Sequence, residues 1–206
     1  MAEQPARIGG LVLAAGLGRR FGGAKLLATF RGRALVSHVL EAAAAARDRG
    51  FLASVHAIVA EGDRAIESLA ASAGAAVVTN PEPGRGLSNS LKLGLAALPP
   101  DLDAVLVLLG DQPLVRPEVM EALVSAWRQG GLGVVRPRYA SAPDAPGHPV
   151  LIARRVWPLA AGLEGDAGFG SLFAPDAPDV MVLDVPGDNL DVNTPADLLA
   201  LKDPRP

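Results

Sequence analysis

The stretch that decides the fold runs from Ile8 to Lys25 and reads IGGLVLAAGLGRRFGGAK. Its first part, Ile8 to Leu13, is an apolar run with the length and composition of a buried strand. It leads directly into a loop of small residues that carries three cations, Arg19, Arg20 and Lys25. Small residues let backbone N–H groups approach a phosphate closely, and the cations neutralise its charge. The stretch therefore predicts a buried strand followed by an anion site.

Two familiar phosphate-binding loops fit this stretch poorly. A Walker loop needs Gly-Lys-Ser/Thr, but Ala24 precedes Lys25 and Leu26 follows it. A dinucleotide-binding fingerprint needs a third small residue after Gly16-Leu-Gly18, where this chain has Phe21. On these residues alone, a Gly/Arg-rich surface turn stays open as the alternative.

The composition favours one globular domain over residues 1–206. Half of the chain is hydrophobic, which is enough to bury a substantial core. The formal net charge of −3 argues against a nucleic-acid or membrane-surface partner, because such proteins need a dominant basic field. The absence of cysteine excludes disulfides, thiolate zinc sites and a cysteine nucleophile. No apolar run approaches a membrane span, so a cytoplasmic protein is expected.

Strand-like and helix-like segments alternate along the chain. Strands are predicted at 8–13, 54–60, 75–79, 103–109, 133–136, 150–152 and 180–185. Helices are predicted at 35–49, 63–71, 87–98, 117–129 and 155–161, and from about residue 195 onward. Residues 137–149 are rich in Pro, Ala and Gly and are predicted to form a loop or lid. This alternation favours a three-layer α/β/α fold with a mostly parallel central sheet.

Polar residues follow several of the predicted strands. In open α/β sheets, ligands bind outside the carboxyl ends of the strands. Besides the cationic loop, the polar residues expected at those ends are Asn80, Asp111, His148 and residues 191–193. Each alone is weak evidence, but their shared position predicts a single ligand site.

Asp111 is the most informative single residue. It follows six apolar residues and a glycine, so its carboxylate is expected at the mouth of a buried strand. A hard cation bound to phosphates needs an oxygen ligand at such a place. A structural role for Asp111, as a helix cap or as a turn residue before Pro113, is an equally weighted alternative.

Residues 191–195, Asp-Val-Asn-Thr-Pro, offer a second oxygen cluster. Thr194 is expected to cap the last helix, which leaves Asp191 and Asn193 free.

His148 is the histidine best placed to contact a ligand, because it lies between Gly147 and Pro149 in an irregular segment. A structural role for it carries equal weight. His38 and His56 are expected to be structural or surface residues. A Ser-His-Asp triad is not supported, because no serine occupies a Gly-x-Ser-x-Gly elbow.

Six motifs occur in order along nearly the whole chain. They are LAAGLGRRFGGAKLL at 13–27, Asn80-Pro with Gly86 and SLxxGL at 90–95, GDQP at 110–113, GHPV at 147–150, GDxG at 165–168 and DVNTPxDL at 191–198. Together they resemble the MobA-like nucleotidyltransferases and, within them, the molybdenum cofactor cytidylyltransferases. The resemblance implies a Rossmann-like nucleotide-diphospho-sugar transferase fold of the glycosyltransferase A type.

The activity implied by the resemblance is transfer of CMP from CTP to a phosphate of a molybdopterin-type cofactor, with release of pyrophosphate. Mg²⁺ or Mn²⁺ is the implied cofactor, and a molybdenum hydroxylase is the implied recipient of the product. The implied catalytic residues are Arg20, Lys25 and Asp111. The implied nucleotide-binding residues are Leu13, Ala14, Ala15, Gly16, Leu17, Gly18, Asn80, Ser90 and Gly110. The implied metal ligands are Asp111, Asp191 and Asn193, and the implied acceptor-binding residues are His148 and Asp166.

Ala15 is the residue that the resemblance links to the base. CTP-using relatives resemble Leu-Ala-Ala-Gly, as here at 13–16, whereas GTP-using relatives resemble Leu-Ala-Gly-Gly. Three alternatives to this activity stay open. The first is a same-fold transferase for a sugar phosphate, for methylerythritol phosphate or for GTP-dependent cofactor guanylylation. The second is a non-catalytic maturation protein that binds the molybdenum cofactor, and the third is a nucleotide-binding regulatory domain. Catalysis is favoured because Arg20, Lys25 and Asp111 occur together.

Overall fold

The structure, a computed structural model, describes residues 5–144, 147–174 and 176–202. The strands are β1 (Ile8–Ala14), β2 (Thr29–Phe30), β3 (Arg33–Ala34), β4 (Ser54–Ala60), β5 (Ala76–Asn80), β6 (Ala104–Leu109), β7 (Val134–Tyr139), β8 (Val150–Ala153) and β9 (Val180–Val185). The α-helices are α1 (Leu35–Asp48), α2 (Arg64–Ser72), α3 (Leu87–Ala97), α4 (Pro117–Gly130) and α5 (Pro195–Lys202).

Seven of the strands form one central sheet in the order β5-β4-β1-β6-β8-β7-β9, while β2 and β3 pair as a separate small hairpin. All neighbours in the central sheet are parallel except β8, which is antiparallel to both β6 and β7. The predicted, mostly parallel sheet is therefore confirmed. Because β8 is reversed, its first residues lie at the edge where the other strands end.

Helices cover both faces of the sheet, as the three-layer prediction requires. Apolar residues of α1, α2 and α4 pack on one face, and those of α3 and of a 3-10 helix at Arg154–Gly162 pack on the other. A third, smaller cluster joins the β2–β3 hairpin to α5 through Phe30 and Leu198. Within the described residues, none of the helices combines the length and the apolar character that crossing a membrane requires.

Most predicted elements agree with the structure, and the differences have local causes. The strands at 54–60 and 180–185 have the predicted bounds. The segment predicted as a helix at 155–161 is a 3-10 helix, and Pro158 within it lacks the N–H that an α-helix needs. The strand predicted at 133–136 continues to Tyr139, so the loop before β8 is shorter than expected. Part of that predicted loop, residues 145–146, lies outside the described residues.

Gly94 lets α3 approach β1 closely. A Cβ atom added at this position would lie 2.7 Å from Cδ2 of Leu11 and 3.1 Å from Cδ1 of Ile58. Both neighbours are fully buried in the core, so they have little room to move. The small residue therefore sets the depth at which α3 packs on the sheet, and with it the position of the α3 N-terminus.

We expect Gly94→Val to lower the free energy of unfolding by about 1–3 kcal/mol, because overpacking forces shifts in a dense core. Ala96→Val is the matched control, since Ala96 lies on the same helix but is exposed. Helix propensity favours Gly94→Val and disfavours Ala96→Val, so a larger loss of stability in Gly94→Val reports the clash. Urea unfolding of the two variants measures it. Equal stabilities would show that α3 does not depend on this close approach.

Candidate active site

A cleft of about 590 Å³ opens at the edge of the sheet where the parallel strands end. Twelve of the residues predicted for the site line it: Leu13, Ala15, Gly16, Leu17, Gly18, Arg20, Lys25, Ser90, Asp111, Asp166, Asp191 and Asn193. The structure thus brings together residues that are spread over 180 positions of the chain. The other four predicted residues, Ala14, Asn80, Gly110 and His148, do not line this cleft.

The loop after β1 folds back on itself through two short 3-10 turns, at Arg19–Phe21 and Lys25–Leu27. The carbonyl oxygen of Gly18 accepts hydrogen bonds from the backbone N–H groups of Phe21 and Gly23. Gly18 has a left-handed φ of +60°, and a Cβ atom there would lie 2.9 Å from the Cβ of Lys25. Glycine is required at this bend, which carries the cations back to the cleft.

Lys25 and Asp111 form an ion pair inside the cleft. The Lys25 Nζ lies 2.5 Å from Oδ2 of Asp111, and the two side chains are only 11% and 20% exposed. Asp111 reaches this place because β6 ends against β1, where Gly110 donates its N–H to the carbonyl of Leu13 at 3.0 Å. A Cβ atom at Gly110 would lie 3.1 Å from that same carbonyl. Gly110 therefore acts behind the cleft, by bringing the two strand ends close together.

A second carboxylate, Asp191, lies on the same wall of the cleft. Its Oδ1 accepts a hydrogen bond of 2.7 Å from Nε2 of Gln112. Burial raises the pKa of Asp191, the hydrogen bond from Gln112 opposes this rise, and the nearby charge of Asp111 adds to it. The next polar residue, Asn193, accepts a hydrogen bond of 3.1 Å from Arg20 through its Oδ1. Three oxygen-bearing side chains thus face the cations across the cleft.

The expected cap of the last helix is confirmed. Thr194 Oγ1 accepts from the backbone N–H of Asp197 at 3.2 Å, and Asp197 Oδ2 accepts from the N–H groups of Asn193 and Thr194. This reciprocal pair satisfies the free donors at the start of α5. It also fixes the backbone at Asn193, so that the Asn193 side chain points toward Arg20.

Asn80 is fully buried. Its amide donates to Ser90 Oγ at 2.9 Å, and its Oδ1 accepts from the backbone N–H of Glu82 and from Asn89. In this structure Asn80 therefore shapes the turn after β5 instead of presenting an atom to the cleft, and Ser90 is the member of the pair that lines it. Ala14 is likewise buried behind the loop.

Asp166 connects two loops that border the cleft. Its Oδ1 accepts a hydrogen bond of 3.3 Å from the backbone N–H of Leu87, at the start of α3. Gly86 has φ +91°, and a Cβ atom there would lie 2.4 Å from the carbonyl group of Gly165. The loop before α3 and the loop at 165–168 are therefore in direct contact, and Asp166 occupies their junction.

His148 lies next to the large cleft, in a small apolar pocket that it lines with Val150, Phe169 and Gly170, among others. Leu13, Leu87 and Leu109 line both spaces, so the pocket adjoins the cleft. His148 precedes β8 instead of following a strand, and it reaches the expected edge only because β8 runs in reverse. Burial and the charge of Arg136 lower the pKa of His148 to about 4, against the opposing charge of Asp111.

A hydrogen-bonded network behind the carboxylates had no predicted role. Gln112, which holds Asp191, accepts at its Oε1 from Nδ2 of Asn189 at 2.9 Å. The same Nδ2 donates to the carbonyl of His148 at 3.0 Å, where the Tyr139 hydroxyl also donates. The only sequence signal was the position of Gln112 inside the GDQP motif. Other cleft residues without a prediction include Pro83, Gly84 and Leu87, whereas Arg19 was predicted only as a cation of the loop and Gly86 only as part of a motif.

A mostly parallel α/β sheet, whose strand ends carry a glycine-rich cationic loop facing acidic side chains, is suited to binding a phosphorylated ligand. More narrowly, the chain belongs to the family described as the MobA-like NTP transferase domain, whose model matches residues 10–180.

Relatives of known name and structure agree with this family. The chain is 36% identical to the bifunctional protein GlmU of Micrococcus luteus over 129 residues, which cover 60% of this chain and 26% of GlmU. It is 34% identical to the 3-deoxy-manno-octulosonate cytidylyltransferase of Anaeromyxobacter dehalogenans over 113 residues, which cover 54% of this chain and 43% of that enzyme. The matches thus span less than half the length of these curated relatives.

Among solved structures, Rv0371c of Mycobacterium tuberculosis H37Rv aligns with a TM-score of 0.83 at 28% identity, over 98% of this chain and 100% of that one. A manganese complex of the same mycobacterial protein aligns with a TM-score of 0.78 at 27% identity, over 96% and 99% of the two chains.

We expect the His148 ring to stay neutral down to about pH 4. Folding lowers the pKa of His148 from 6.5, so the unfolded chain takes up the proton at a higher pH than the folded chain does. The free energy of unfolding therefore decreases as the pH falls below 6.5. NMR titration of the ring, assigned with His148→Gln, measures the pKa directly. The variant should also lose less stability than the wild type between pH 7 and pH 4.5. A ring that titrates near 6.5 would contradict the expectation.

Proposed function

We propose that the protein is a molybdenum cofactor cytidylyltransferase, a single domain over residues 1–206 that transfers CMP from CTP to the phosphate of a molybdopterin-type cofactor. One observation carries the proposed chemistry: Lys25 and Asp111 face each other at 2.5 Å inside a cleft bounded by a glycine-rich loop. A cation for the phosphates and a carboxylate for a metal are thereby placed on one reacting centre. The motif resemblance supports the cofactor as acceptor and a molybdenum hydroxylase as recipient of the product.

The nucleotide is placed along the loop after β1. Residues 15–18 line the cleft with backbone that glycines leave accessible, which suits contact with the base, ribose and phosphates. Ala15 is only 3% exposed, so its methyl group forms part of a tight wall. A pyrimidine fits beside this methyl group more easily than a purine does, and this difference supports CTP over GTP.

The oxygen-rich wall of the cleft fits a divalent cation shared with the substrate. Within residues 5–144, 147–174 and 176–202, no three His, Cys, Asp or Glu side chains form a complete metal cage. Mg²⁺ and Mn²⁺ are commonly held by one or two carboxylates together with phosphate oxygens. Asp111, Asp191 and the Asn193 amide oxygen match that pattern, and the manganese complex of the mycobacterial relative supports it.

The proposed reaction is an in-line displacement. An oxygen of the acceptor phosphate attacks the α-phosphorus of CTP, and a new P–O bond forms while the bond to the β-phosphate bridging oxygen breaks. Lys25 and Arg20 stabilise the negative charge that collects on the departing pyrophosphate. When bound, the metal ion withdraws charge from the phosphoryl oxygens and orients them. The protein supplies positioning and electrostatic stabilisation, and no nucleophile of its own is needed.

His148 and Asp166 are assigned to the acceptor. His148 lines the adjoining pocket together with Phe169 and Gly170, and Asp166 lines the cleft in the loop that precedes those two residues. A second candidate is a cytidylyltransferase for a sugar acid, favoured by the 34% identity to the 3-deoxy-manno-octulosonate enzyme. The two candidates share the nucleotide half of the site and differ in the acceptor.

Pyrophosphate release should require CTP and a molybdopterin-type acceptor. We expect the highest rate with CTP among the four NTPs, and a loss of about a hundredfold in Asp111→Asn, because one charge-stabilising contact is removed. Ala15→Gly should shift the preference for CTP over GTP by about tenfold toward GTP, because one methyl group in a pocket changes discrimination by about that factor.

Release of pyrophosphate with 3-deoxy-manno-octulosonate but not with molybdopterin would select the second candidate. No release with any acceptor would overturn the proposed function.

Lys25 should weaken metal binding in the free protein, because its ion pair with Asp111 competes with a metal ion for the same carboxylate. We expect Lys25→Met to bind Mn²⁺ about tenfold more tightly without nucleotide, since close, partly buried charge pairs couple by about 1.5 kcal/mol or more. Arg19→Met is the matched control: it removes a cation from the same cleft, but this cation does not pair with Asp111. Calorimetric titration with Mn²⁺ measures both. If Lys25→Met and Arg19→Met bind Mn²⁺ equally tightly, any gain over the wild type comes from the lower positive charge of the cleft and not from loss of the ion pair.

A further inference from the structure

Asn80 and Ser90 form a buried hydrogen bond at the wall of the cleft. Asn80 is fully buried and Ser90 is only 5% exposed. Nδ2 of Asn80 lies 2.9 Å from Oγ of Ser90. Ser90 lines the cleft, whereas Asn80 is not among the lining residues. Of the two side chains, Ser90 is therefore the one that can touch a ligand in the cleft, and Asn80 can act only through it.

The direction of this hydrogen bond is fixed by the groups around it. Oδ1 of Asn80 lies 2.9 Å from the backbone nitrogen of Glu82, whose N–H can only donate. The Asn89 amide donates to the same Oδ1 at 3.0 Å, and it also donates to the Glu82 carbonyl, which can only accept, at 3.3 Å. The oxygen of the Asn80 side chain therefore faces Glu82, and its NH2 group faces Ser90. In the buried pair, Asn80 donates and Ser90 accepts.

A serine hydroxyl has one proton, and the contact with Asn80 limits where that proton can point. Because Ser90 Oγ accepts from Asn80, its own proton has to be directed elsewhere. Within residues 5–144, 147–174 and 176–202, the contact with Asn80 is the one hydrogen bond of this hydroxyl, so the usual bond of a helical serine to the carbonyl one turn back is not made. Since Ser90 lines the cleft, its O–H is left as a donor to a ligand there.

The surroundings of Ser90 fit a base better than a phosphate. Ser90 and Ala15 line the same cleft, and Ala15 packs in one core cluster with Leu91, the next residue on α3. The side chains of Arg20 and Lys25 instead contact the oxygen-rich wall of the cleft. A neutral donor beside apolar side chains is typical of contacts to the edge of a base, whereas cations are the usual partners of phosphates.

We propose that Asn80 is a positioning residue that holds Ser90 as a hydrogen-bond donor to the base and thereby favours cytosine over guanine. Along its pairing edge, cytosine presents two adjacent acceptors, O2 and N3, whereas guanine presents two adjacent donors, the N1–H and the N2 amino group. A hydroxyl that is free to turn can pair with either edge, but one that is held as a donor pairs with cytosine. This inference rests on the proposed function, because it concerns the nucleotide half of that site.

The first test reverses the hydrogen bond with Asn80→Asp, which nearly preserves the shape of the side chain. Both oxygens of an aspartate accept, so the Ser90 proton turns away from the cleft. We expect the ratio of the dissociation constants for GTP and CTP, measured by calorimetric titration, to fall about tenfold, as loss of one hydrogen bond to CTP does. The ratio cancels the effect of the added charge, because both nucleotides carry the same triphosphate.

Asn89→Ala is the matched control. It removes another hydrogen bond of the Asn80 side chain but leaves the Asn80 donor to Ser90 in place, and Glu82 still fixes the direction of the amide. The ratio of the two dissociation constants should therefore stay within twofold of the wild type. A fall as large as that in Asn80→Asp would show that any disturbance of this turn changes the preference, and it would overturn the proposal.

A double-mutant cycle with Ser90→Ala separates orientation of the hydroxyl from a general effect of Asn80 on the fold. Ser90→Ala alone should lower the ratio about tenfold, because the donor is removed. When the hydroxyl is absent, adding Asn80→Asp should change the ratio by less than twofold. An unchanged ratio in Ser90→Ala would overturn the proposal, and so would an effect of Asn80→Asp that is equal with and without the hydroxyl.

Circular dichroism checks that each variant folds, and Asn80→Ala serves as a second, uncharged variant. It frees the Ser90 hydroxyl to turn, so it should lower the ratio as well, by less than Asn80→Asp does. If neither variant of Asn80 folds, the role of Asn80 is structural and the proposal is overturned. A wild-type protein that binds no nucleotide, or that binds GTP as tightly as CTP, would instead contradict the proposed function, so the two failures are distinguishable.

Discussion

The ion pair between Lys25 and Asp111 is the contact on which the site depends. It joins the loop after β1 to the end of β6, the two central strands whose ends form the floor of the cleft. Both side chains are largely buried, so their desolvation must be offset by each other in the free protein. A triphosphate and a metal ion would supply the same two charges in exchange. The pair therefore balances the two charges against each other and ties the loop after β1 to the end of β6.

The reversed strand β8 explains how one sheet edge holds two kinds of subsite. Parallel strands β1 and β6 deliver the cationic loop and Asp111 at their carboxyl ends, whereas β8 delivers His148 at its amino end. The hydrogen bonds of Gln112 and Asn189 then join the Asp191 carboxylate to the backbone of His148. Hydrogen bonds thus link Asp191 to the backbone of His148, the residue assigned to the proposed acceptor site.

The sequence predicted the parts of this site that depend on local pattern. The apolar run before Asp111 and the small residues before Lys25 placed both side chains at strand ends, and the structure brings them together. The burial of Asn80 was not predictable, because Asn-Pro indicates a turn but not which way the amide points. The Gln112–Asn189 contact joins residues 77 positions apart, and only tertiary packing creates it. The reversal of β8 was also hidden, since a four-residue apolar strand carries no sign of its direction.

Arg136 shows why a strand end is hard to recognise from sequence. The strand was predicted to stop at this residue, because residues 137–149 are rich in Pro, Ala and Gly. The structure continues β7 to Tyr139, and Arg136 is only 4% exposed. The register of β7 with β8 ends at Val135, so beyond that residue β7 has a free edge toward β8, where a proline such as Pro137 is tolerated within a strand.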